Sequence, residues 1–366
     1  MEAKKKAVVG FGEIMGRMAA VGPLRLRQSR ALDVTYAGAE ASVTASICNF
    51  GGVGRYVTAL PQHALAEAAM DSMRAVGIDT RFIKRTDYGR LGLYFLETGA
   101  NQRPSNVIYD RDDSAIAMTP ASAYDWPAIF ADAQWLHLSG ITPALSAHAA
   151  EATLGAAKAA QAHGVKVSID LNFRKKLWRW SDELQGKALA GKMMQGILPF
   201  VDVVIANEED CADVLDIHAG DTDVESGELD ISHYPGVAQQ VIEQFPNVTK
   251  VAITLRESLS ASHNNWGAML YDNASQQAHF APLDQAGNYQ PYEIKNIVDR
   301  VGGGDSFAAG LIFSLITPEL SDPAVAVKFA VAASCLKHSI KGDFNYSTRA
   351  EVEALMGGAV SGRVVR

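Results

Sequence analysis

The chain has 366 residues, of which 48% are apolar and 20% are charged, and its formal net charge is −8. A chain of this length and apolar content buries a large core, as one big α/β domain or as one domain with a smaller appendage. The acidic balance, without a basic stripe interleaved with aromatic residues, argues against nucleic acid as a partner. No apolar run approaches transmembrane length, which argues against a membrane.

Cysteine and histidine usage indicates neither a disulfide framework nor a zinc site. The three cysteines are far apart and form no CxxC motif, and the nine histidines are scattered along the chain. We therefore expect buried thiols in a reducing compartment, that is, a cytoplasmic protein.

Residues 7–13 predict a first β-strand that ends in the pattern Gly10-Phe11-Gly12. Three lysines precede this strand, but its apolar run is too short and too interrupted for a signal peptide. Two glycines of a dinucleotide-binding fingerprint are present, whereas Met15 stands where the third would fall. A nucleotide-binding oxidoreductase therefore stays open as one alternative.

The N-terminal third predicts two helices and two β-like patches. Residues 38–52 indicate a helix of small residues closed by a glycine C-cap, and residues 64–76 indicate a second helix. The patches, about 14–37 and 92–116, interrupt the α/β rhythm. We expect them to form a small sheet that stands off the main domain.

From about residue 130, short apolar strands alternate with longer helical stretches. The expected strands are 135–138, 165–170, 201–206 and 250–255, with alanine-rich helices near 144–163 and 184–197 between them. This alternation predicts βαβ units and a parallel sheet. The polar stretches 216–236 and 272–290 are expected to be surface insertions.

Polar side chains follow four of these strands in succession. They include Ser139, then Asp170 with Asn172 and Arg174, then Asn207, and then Thr254 with Arg256. In open parallel sheets the carboxyl ends of the strands form the ligand crevice, so we expect a binding site along this edge.

The pattern Asp299-x-x-Gly302-x-Gly304-Asp305 comes directly before an apolar run long enough for a buried helix. Glycines at a helix start leave free N–H groups that point, with the helix dipole, at one anion-binding spot. A carboxylate there would repel a bound phosphate unless it takes a proton from a hydroxyl that attacks that phosphate. Asp305 is therefore the candidate base, and the amides of Gly302, Gly303 and Gly304 are candidates for stabilising the transferred group.

This pattern resembles the second signature of the ribokinase-like carbohydrate kinases, the PfkB family, whose usual form is Asp-Thr-x-Gly-Ala-Gly-Asp. The chain departs from it at Arg300, where the family usually has Thr, and at Gly303, where it usually has Ala. The resemblance implies a doubly wound, mostly parallel α/β sheet flanked by helices. It also implies that residues 1–366 form one kinase domain, with a β lid from about 14–37 and 92–116.

The lid segment and the stretch after residue 169 resemble the branch of the family that phosphorylates 2-keto-3-deoxygluconate. By this resemblance the sugar acid is held by a glycine-containing segment, two tyrosines and two arginines, at Gly38, Ala39, Tyr94, Tyr109, Arg111 and Arg174. An arginine fork suits a carboxylate, which neutral sugars lack.

The family also implies ATP and Mg²⁺ as the phosphoryl donor and its metal. The segment from Asn207 corresponds to an Asn-x-x-Glu element, with Glu208 and Asp210 as candidate metal ligands. Thr254 and Arg256 lie where relatives contact nucleotide phosphates. Cys335 and Asn345 fall where the adenine pocket is expected.

The sequence thus predicts an ATP-dependent kinase that converts 2-keto-3-deoxygluconate to its 6-phosphate. The alternatives are a fructokinase-like or ribokinase-like member of the same family, the oxidoreductase, and a non-catalytic sugar-binding protein. The resemblance further implies a homodimer that pairs through the lid.

Overall fold

The computed structural model describes residues 5–207, 209–218 and 231–358. The strands of this part of the chain are β1 (Ala7–Phe11), β2 (Met15–Ala20), β3 (Leu32–Ala37), β4 (Gly54–Val57), β5 (Ala59–Pro61), β6 (Lys84–Thr86), β7 (Gly92–Glu97), β8 (Asn106–Asp110), β9 (Ala133–Ser139), β10 (Lys166–Asp170), β11 (Val203–Asn207), β12 (Lys250–Ser260), β13 (His263–Asp272), β14 (Gln277–Ala281) and β15 (Tyr292–Lys295). Its helices are α1 (Ala39–Asn49), α2 (Ala64–Ala75), α3 (Ala115–Met118), α4 (Trp126–Phe130), α5 (Ala147–Ala162), α6 (Gly186–Ile197), α7 (Asp210–Leu215), α8 (Tyr234–Gln244), α9 (Gly303–Leu315), α10 (Pro323–Lys337) and α11 (Arg349–Met356).

The main sheet has the order β14-β13-β12-β11-β10-β9-β1-β4, and β15 pairs with β13 beside this path. All neighbours from β4 to β12 are parallel, whereas β13 runs antiparallel to β12, β14 and β15. The strand order reverses around β1, which is the arrangement of a doubly wound sheet. The expected fold class is confirmed.

Helices cover both faces of the main sheet because its strands are apolar on both sides. In β1, Val8 belongs to the core that includes residues of α1, α9 and α10, whereas its neighbour Val9 belongs to the core that includes residues of α4, α5, α6 and α8. Successive side chains point to opposite faces of a strand, so each strand contributes to both cores. The two cores hold the carboxyl ends of β10, β11 and β12 in fixed register.

A second sheet has the order β3-β2-β7-β8 and contains no strand of the main sheet. Its strands lie within the two patches that the sequence predicted to be β-like, although residues 115 and 116 at the end of the second patch belong to α3 instead. Two rows of residues run across the four strands, one residue out of phase with each other. The first row consists of Thr35, Arg17, Tyr94 and Tyr109. The second row is apolar and consists of Val34, Met18, Phe95 and Ile108. The two rows therefore face opposite sides of the sheet.

One of the two expectations about polar segments is wrong. Residues 272–290 are not an insertion, because Gln277–Ala281 forms β14 at the edge of the main sheet and Ala281 is fully buried. A half-covered edge strand tolerates the polar residues that suggested a surface loop. Most of 216–236 lies outside the described residues.

Among the described residues, no helix combines the length and the apolar character that crossing a membrane requires.

Candidate active site

A cavity of about 350 Å³ lies between the carboxyl ends of β10, β11 and β12, the start of α9 and the second sheet. Its volume falls in the range of small-molecule sites. The predicted site residues that line it are Gly38, Ala39, Tyr94, Tyr109, Arg111, Arg174, Asn207, Asp210, Thr254, Arg256, Gly302, Gly303, Gly304 and Asp305. The polar strand ends and the glycine turn therefore meet at one place, as the sequence predicted.

The glycine turn has the geometry of an anion-binding helix start. Gly302 is the N-cap of α9 and adopts the left-handed conformation, with φ of 84° and ψ of 2°. A Cβ atom at this position would lie 2.2 Å from the carbonyl oxygen of Asp343. Only glycine fits both the conformation and the contact.

The free amides of the turn are those at the start of α9. The first N–H groups of a helix have no partner within it, and here they belong to Gly303, Gly304 and Asp305. A Cβ atom on Gly304 would meet nothing within 4 Å, so this part of the backbone is open to a ligand. The turn thus offers N–H donors to an anion, shifted by one residue from the set that the sequence predicted.

Asp305 lies in the first turn of α9, surrounded by other carboxylates. Burial raises the pKa of Asp305 well above its usual value, and Asp170, Asp343 and Glu40 raise it further, whereas Arg174 lowers it. Burial, followed by the charge of Asp210, also raises the pKa of Asp170, to about 7. A carboxyl with a raised pKa is a better proton acceptor at neutral pH than an ordinary aspartate, once it is ionised.

Arg111 and Arg174 both line the cavity, but their surroundings differ. The Nε atom of Arg111 donates to Glu13 Oε2 at 2.8 Å, and its guanidinium lies 5.4 Å from the ring centre of Tyr109. Arg174 is exposed, and no carboxylate of the described residues pairs with it. Arg174 therefore has its hydrogen-bond donors available for a ligand, although its charge also acts on Asp305, whereas Arg111 is paired with Glu13.

Glu13 is a cavity residue that sequence reasoning missed. It is 4% exposed, and its Oε1 atom is buried without a hydrogen-bond partner in the described structure. A buried, unpaired carboxylate oxygen beside a cavity is costly, and a ligand hydroxyl would satisfy it. The available signal was the acid directly after the buried strand β1.

Tyr94 and Asp343 form a second polar group at the wall of the cavity. The Tyr94 hydroxyl lies 2.9 and 3.0 Å from the two carboxylate oxygens of Asp343 and donates to this carboxylate. Asp343 is two residues before Asn345, which was expected to lie in the adenine pocket. Asp343 itself lies beside the tyrosine that was predicted to bind the sugar.

Two predicted adenine-pocket residues do not line the cavity. Asn345 is fully buried, and its side chain donates to Ala333 O and accepts from Ser347 N. It therefore closes the loop after α10 onto that helix. Cys335 lies on the face of α10 near Tyr292, away from the cavity. Because α10 is apolar on nearly all sides, its sequence does not indicate which face meets a ligand.

Arg256 and Arg300 lie together at the cavity wall. Arg300 Nη2 donates to Asn264 Oδ1 at 2.8 Å, while its Nε is buried without a partner in the described structure. Burial lowers the pKa of Arg300, and the nearby charge of Arg256 lowers it further. Two guanidinium groups that repel each other beside a cavity favour an anionic ligand between them.

The predicted metal ligands form no cluster in the described part of the chain. No group of three or more histidine, cysteine, aspartate or glutamate side chains could hold a metal ion among these residues. Glu208 lies outside the described residues. Asp210 accepts from the backbone amides of Phe173 and Asn207, at 3.0 and 3.2 Å, and so it fixes two loops at the site. One carboxylate ligand, that of Asp210, fits a Mg²⁺ ion that arrives bound to a nucleotide and keeps most of its water ligands.

The fold and the site define a phosphotransferase of the doubly wound α/β class. The family model described as "pfkB family carbohydrate kinase" matches residues 5–347. The chain belongs to the PfkB family of carbohydrate kinases.

Similar proteins are found among curated proteins and solved structures. The crystal structure of 2-dehydro-3-deoxygluconokinase from Thermotoga maritima is 42% identical, has a TM-score of 0.87 and matches 96% of this chain and all of its own. The 2-dehydro-3-deoxygalactonokinase of Haloferax volcanii is 30% identical, over 97% of this chain and 98% of its own. The 2-dehydro-3-deoxygluconokinase of Dickeya dadantii is 28% identical, over 70% and 72%.

Proposed function

We propose that this enzyme transfers the γ-phosphoryl group of MgATP to the terminal hydroxyl of 2-dehydro-3-deoxygluconate (2-keto-3-deoxygluconate), forming the 6-phosphate and ADP. The observation that carries the proposal is the position of Asp305. Asp305 lies behind a glycine turn with free amides. The same cavity contains Arg174, which has no carboxylate partner among the described residues. The similarity to two 2-dehydro-3-deoxygluconokinases supports the choice of substrate.

The reaction needs one proton acceptor and donors for the charge of the transferred group. Asp305 takes the proton of the terminal hydroxyl, whose oxygen bonds to phosphorus as the bond between the γ-phosphorus and the bridging oxygen breaks. The amides of Gly303, Gly304 and Asp305 donate to the transferred group. Comparable donors contribute about 3 kcal/mol each. Mg²⁺ neutralises charge on the phosphates.

The sugar acid lies between the second sheet and the strand ends. Arg174 binds its carboxylate, and Arg111 adds a second, partly neutralised guanidinium above Tyr109. Glu13 Oε1 and the Asp343 carboxylate accept from hydroxyl groups of the sugar. Tyr94 positions Asp343, while Gly38 and Ala39 bring the start of α1 against the ligand.

The nucleotide occupies the side of the cavity that Asn207, Thr254 and Arg256 line. Arg256 and Arg300 bind its phosphates, because they are adjacent cations without a carboxylate partner among the described residues. Arg300 takes the place of the usual Thr of the family signature and so adds a charge at this site.

A kinase must exclude water from the transferred group, and the second sheet is placed to do so. We infer that it acts as the lid of a single kinase domain.

The outward row of this sheet, Val34, Met18, Phe95 and Ile108, is apolar, with Val34 and Ile108 each 51% exposed. We infer that a second copy of the chain covers this face. Replacing Val34 and Ile108 by lysine then yields a monomer in light scattering, whereas a parent that is itself monomeric contradicts the pairing.

We place the enzyme in the cytoplasm, since all three cysteines are free thiols.

The test is a coupled ADP-release assay with 2-dehydro-3-deoxygluconate, its C4 epimer, gluconate, fructose and ribose. We expect kcat/KM for the 2-dehydro-3-deoxy acids to exceed that for the neutral sugars by about 100-fold, the value of one charge-assisted carboxylate contact. The C4 epimer is included because the Haloferax volcanii relative is a 2-dehydro-3-deoxygalactonokinase. Equal turnover of fructose or ribose would refute the sugar-acid assignment, and Asp305→Asn serves as the inactive control.

A further inference from the structure

Arg17 lies on β2 and is paired with two aspartates that are distant in the sequence. Its side chain is 3% exposed; Nη2 contacts Asp299 Oδ2, and Nη1 lies 2.5 Å from Asp343 Oδ1. Asp299 opens the glycine motif, and Asp343 follows α10. Arg17 itself does not line the cavity.

The two aspartates hold the glycine turn in place. Asp299 Oδ1 accepts from Val301 N at 3.1 Å, and Asp299 Oδ2 accepts from Gly342 N at 3.1 Å. The carbonyl of Asp343 lies directly against Gly302. The position of the turn therefore depends on the Asp299 carboxylate and on the backbone of Asp343.

The same arginine belongs to the sheet that we assign to the sugar. Arg17 is paired in register with Tyr94 on β7, and the Tyr94 hydroxyl donates to Asp343. Val301 adds an apolar contact between the turn and the inner face of this sheet. The guanidinium thus connects the second sheet to the glycine turn through buried charge-assisted bonds, which are the strong kind.

We propose that Arg17 is a positioning residue that fixes the second sheet, and with it the acceptor hydroxyl, relative to the glycine turn and Asp305. This inference rests on the proposed function, because it concerns the distance between the two substrates. Arg17 acts through Asp299 and Asp343 and touches neither substrate.

Arg17 also acts on the charges around Asp305 indirectly, through its pairing with Asp343. The groups that face Asp305 are Asp170 at the end of β10, Glu40 on α1, Asp343, Arg174 and the buried Lys337 of α10. Burial raises the pKa of Asp343, and Arg17 lowers it. Without Arg17, two buried carboxylates have Lys337 as their remaining nearby cation, so the proton affinity of this group of acids rises.

Arg55 provides a matched control. It is 1% exposed and also joins two aspartates, with Nε 2.9 Å from Asp79 and Nη1 2.6 Å from Asp132. None of these three residues lines the cavity. Arg55→Met therefore removes a buried arginine bridge without touching the site.

The experiment compares Arg17→Lys, Arg17→Met and Arg55→Met in the ADP-release assay. We expect kcat of Arg17→Met to fall about 100-fold, the effect of a misplacement of about 1 Å. In Arg17→Met, KM for ATP stays within threefold of the parent's value. The acid limb of its pH profile, where kcat falls with decreasing pH, moves to higher pH. Arg17→Lys keeps the charge, so it recovers part of kcat and keeps the parent's acid limb. Arg55→Met loses thermal stability while its kcat stays within threefold of the parent.

A second measurement does not depend on turnover. Hydrogen exchange of peptides that cover 299–305 and 341–345 is expected to accelerate at least tenfold in Arg17→Met and to be unchanged in Arg55→Met. Unchanged exchange in Arg17→Met overturns the proposal, even if the parent proves inactive and the proposed function fails. If Arg17→Met does not fold, an Arg17→Lys variant with the parent's kcat and exchange overturns it as well.

Discussion

Replacing Gly302 by alanine tests the glycine turn most directly. The left-handed conformation alone costs alanine about 1–2 kcal/mol. The new Cβ would lie 2.2 Å from the Asp343 carbonyl, whereas real Cβ atoms essentially never approach closer than 3.0 Å. The turn and the loop must therefore separate by about 0.8 Å or more, and a displacement of about 1 Å in a catalytic group costs about 100-fold in rate.

The assay is ADP release at saturating MgATP and sugar acid, together with thermal unfolding to confirm that the variant is folded. Gly303→Ala is the control. Its Cβ would lie 3.0 Å from the ring of His338, and alanine is the usual residue of the family signature at this position. We expect Gly303→Ala to retain kcat within fivefold. A folded Gly302→Ala variant with kcat within threefold of the parent would refute the role of the turn.

Three further predictions concern charged residues of the cavity. Asp305→Asn lowers kcat by about 10²–10⁴-fold. Because burial raises the pKa of Asp305, keeping this group folded costs stability once the pH exceeds the pKa that it has in the unfolded chain. The Tm of the variant at pH 8 therefore equals or exceeds that of the parent, and a clearly lower Tm would contradict the burial argument. Arg174→Gln raises KM for the sugar acid by about 10–100-fold, the loss of a hydrogen-bonded charge, without affecting a neutral sugar, and equal effects on both would rule out a carboxylate contact. Arg256→Ala combined with Arg300→Thr raises KM for ATP by about tenfold or more and weakens its salt dependence, and an unchanged nucleotide Kd in calorimetry would exclude a phosphate contact.

Local pattern was enough to predict the main features of the fold and half of the site. Strand ends and glycine turns have signatures within a few residues, so Asp170, Asn207 and Asp305 could be placed before the fold was known. The second sheet was also predictable as two β-like patches, although the strand order was not. The length of β12 was underestimated, because residues past 255 are stabilised as a strand by pairing with β13 rather than by burial.

Pairs that are distant in the sequence could not be predicted in this way. Arg17 and Asp343 are 326 residues apart, and nothing in either local pattern indicates the partner. Arg300 departs from the family signature, and the role we propose for it depends on Arg256, which is distant in the sequence but close in the structure. Cys335 does not line the cavity, and the sequence could not indicate which side of α10 faces it, because a helix buried on nearly all faces has no polar stripe to orient it.

The helix that starts at the glycine turn is enclosed on every side. All residues of α9 from Ser306 to Ser314 are buried, and it approaches α10 so closely that a Cβ atom on Gly310 would lie 2.8 Å from the Ala330 backbone. Elements of this kind open only with global unfolding, so the hydrogen-bonded amides of α9, from Ser306 onward, are expected to be among the slowest to exchange. We therefore expect the proposed base, Asp305, to stay in place during turnover, so that both substrates have to be brought to it.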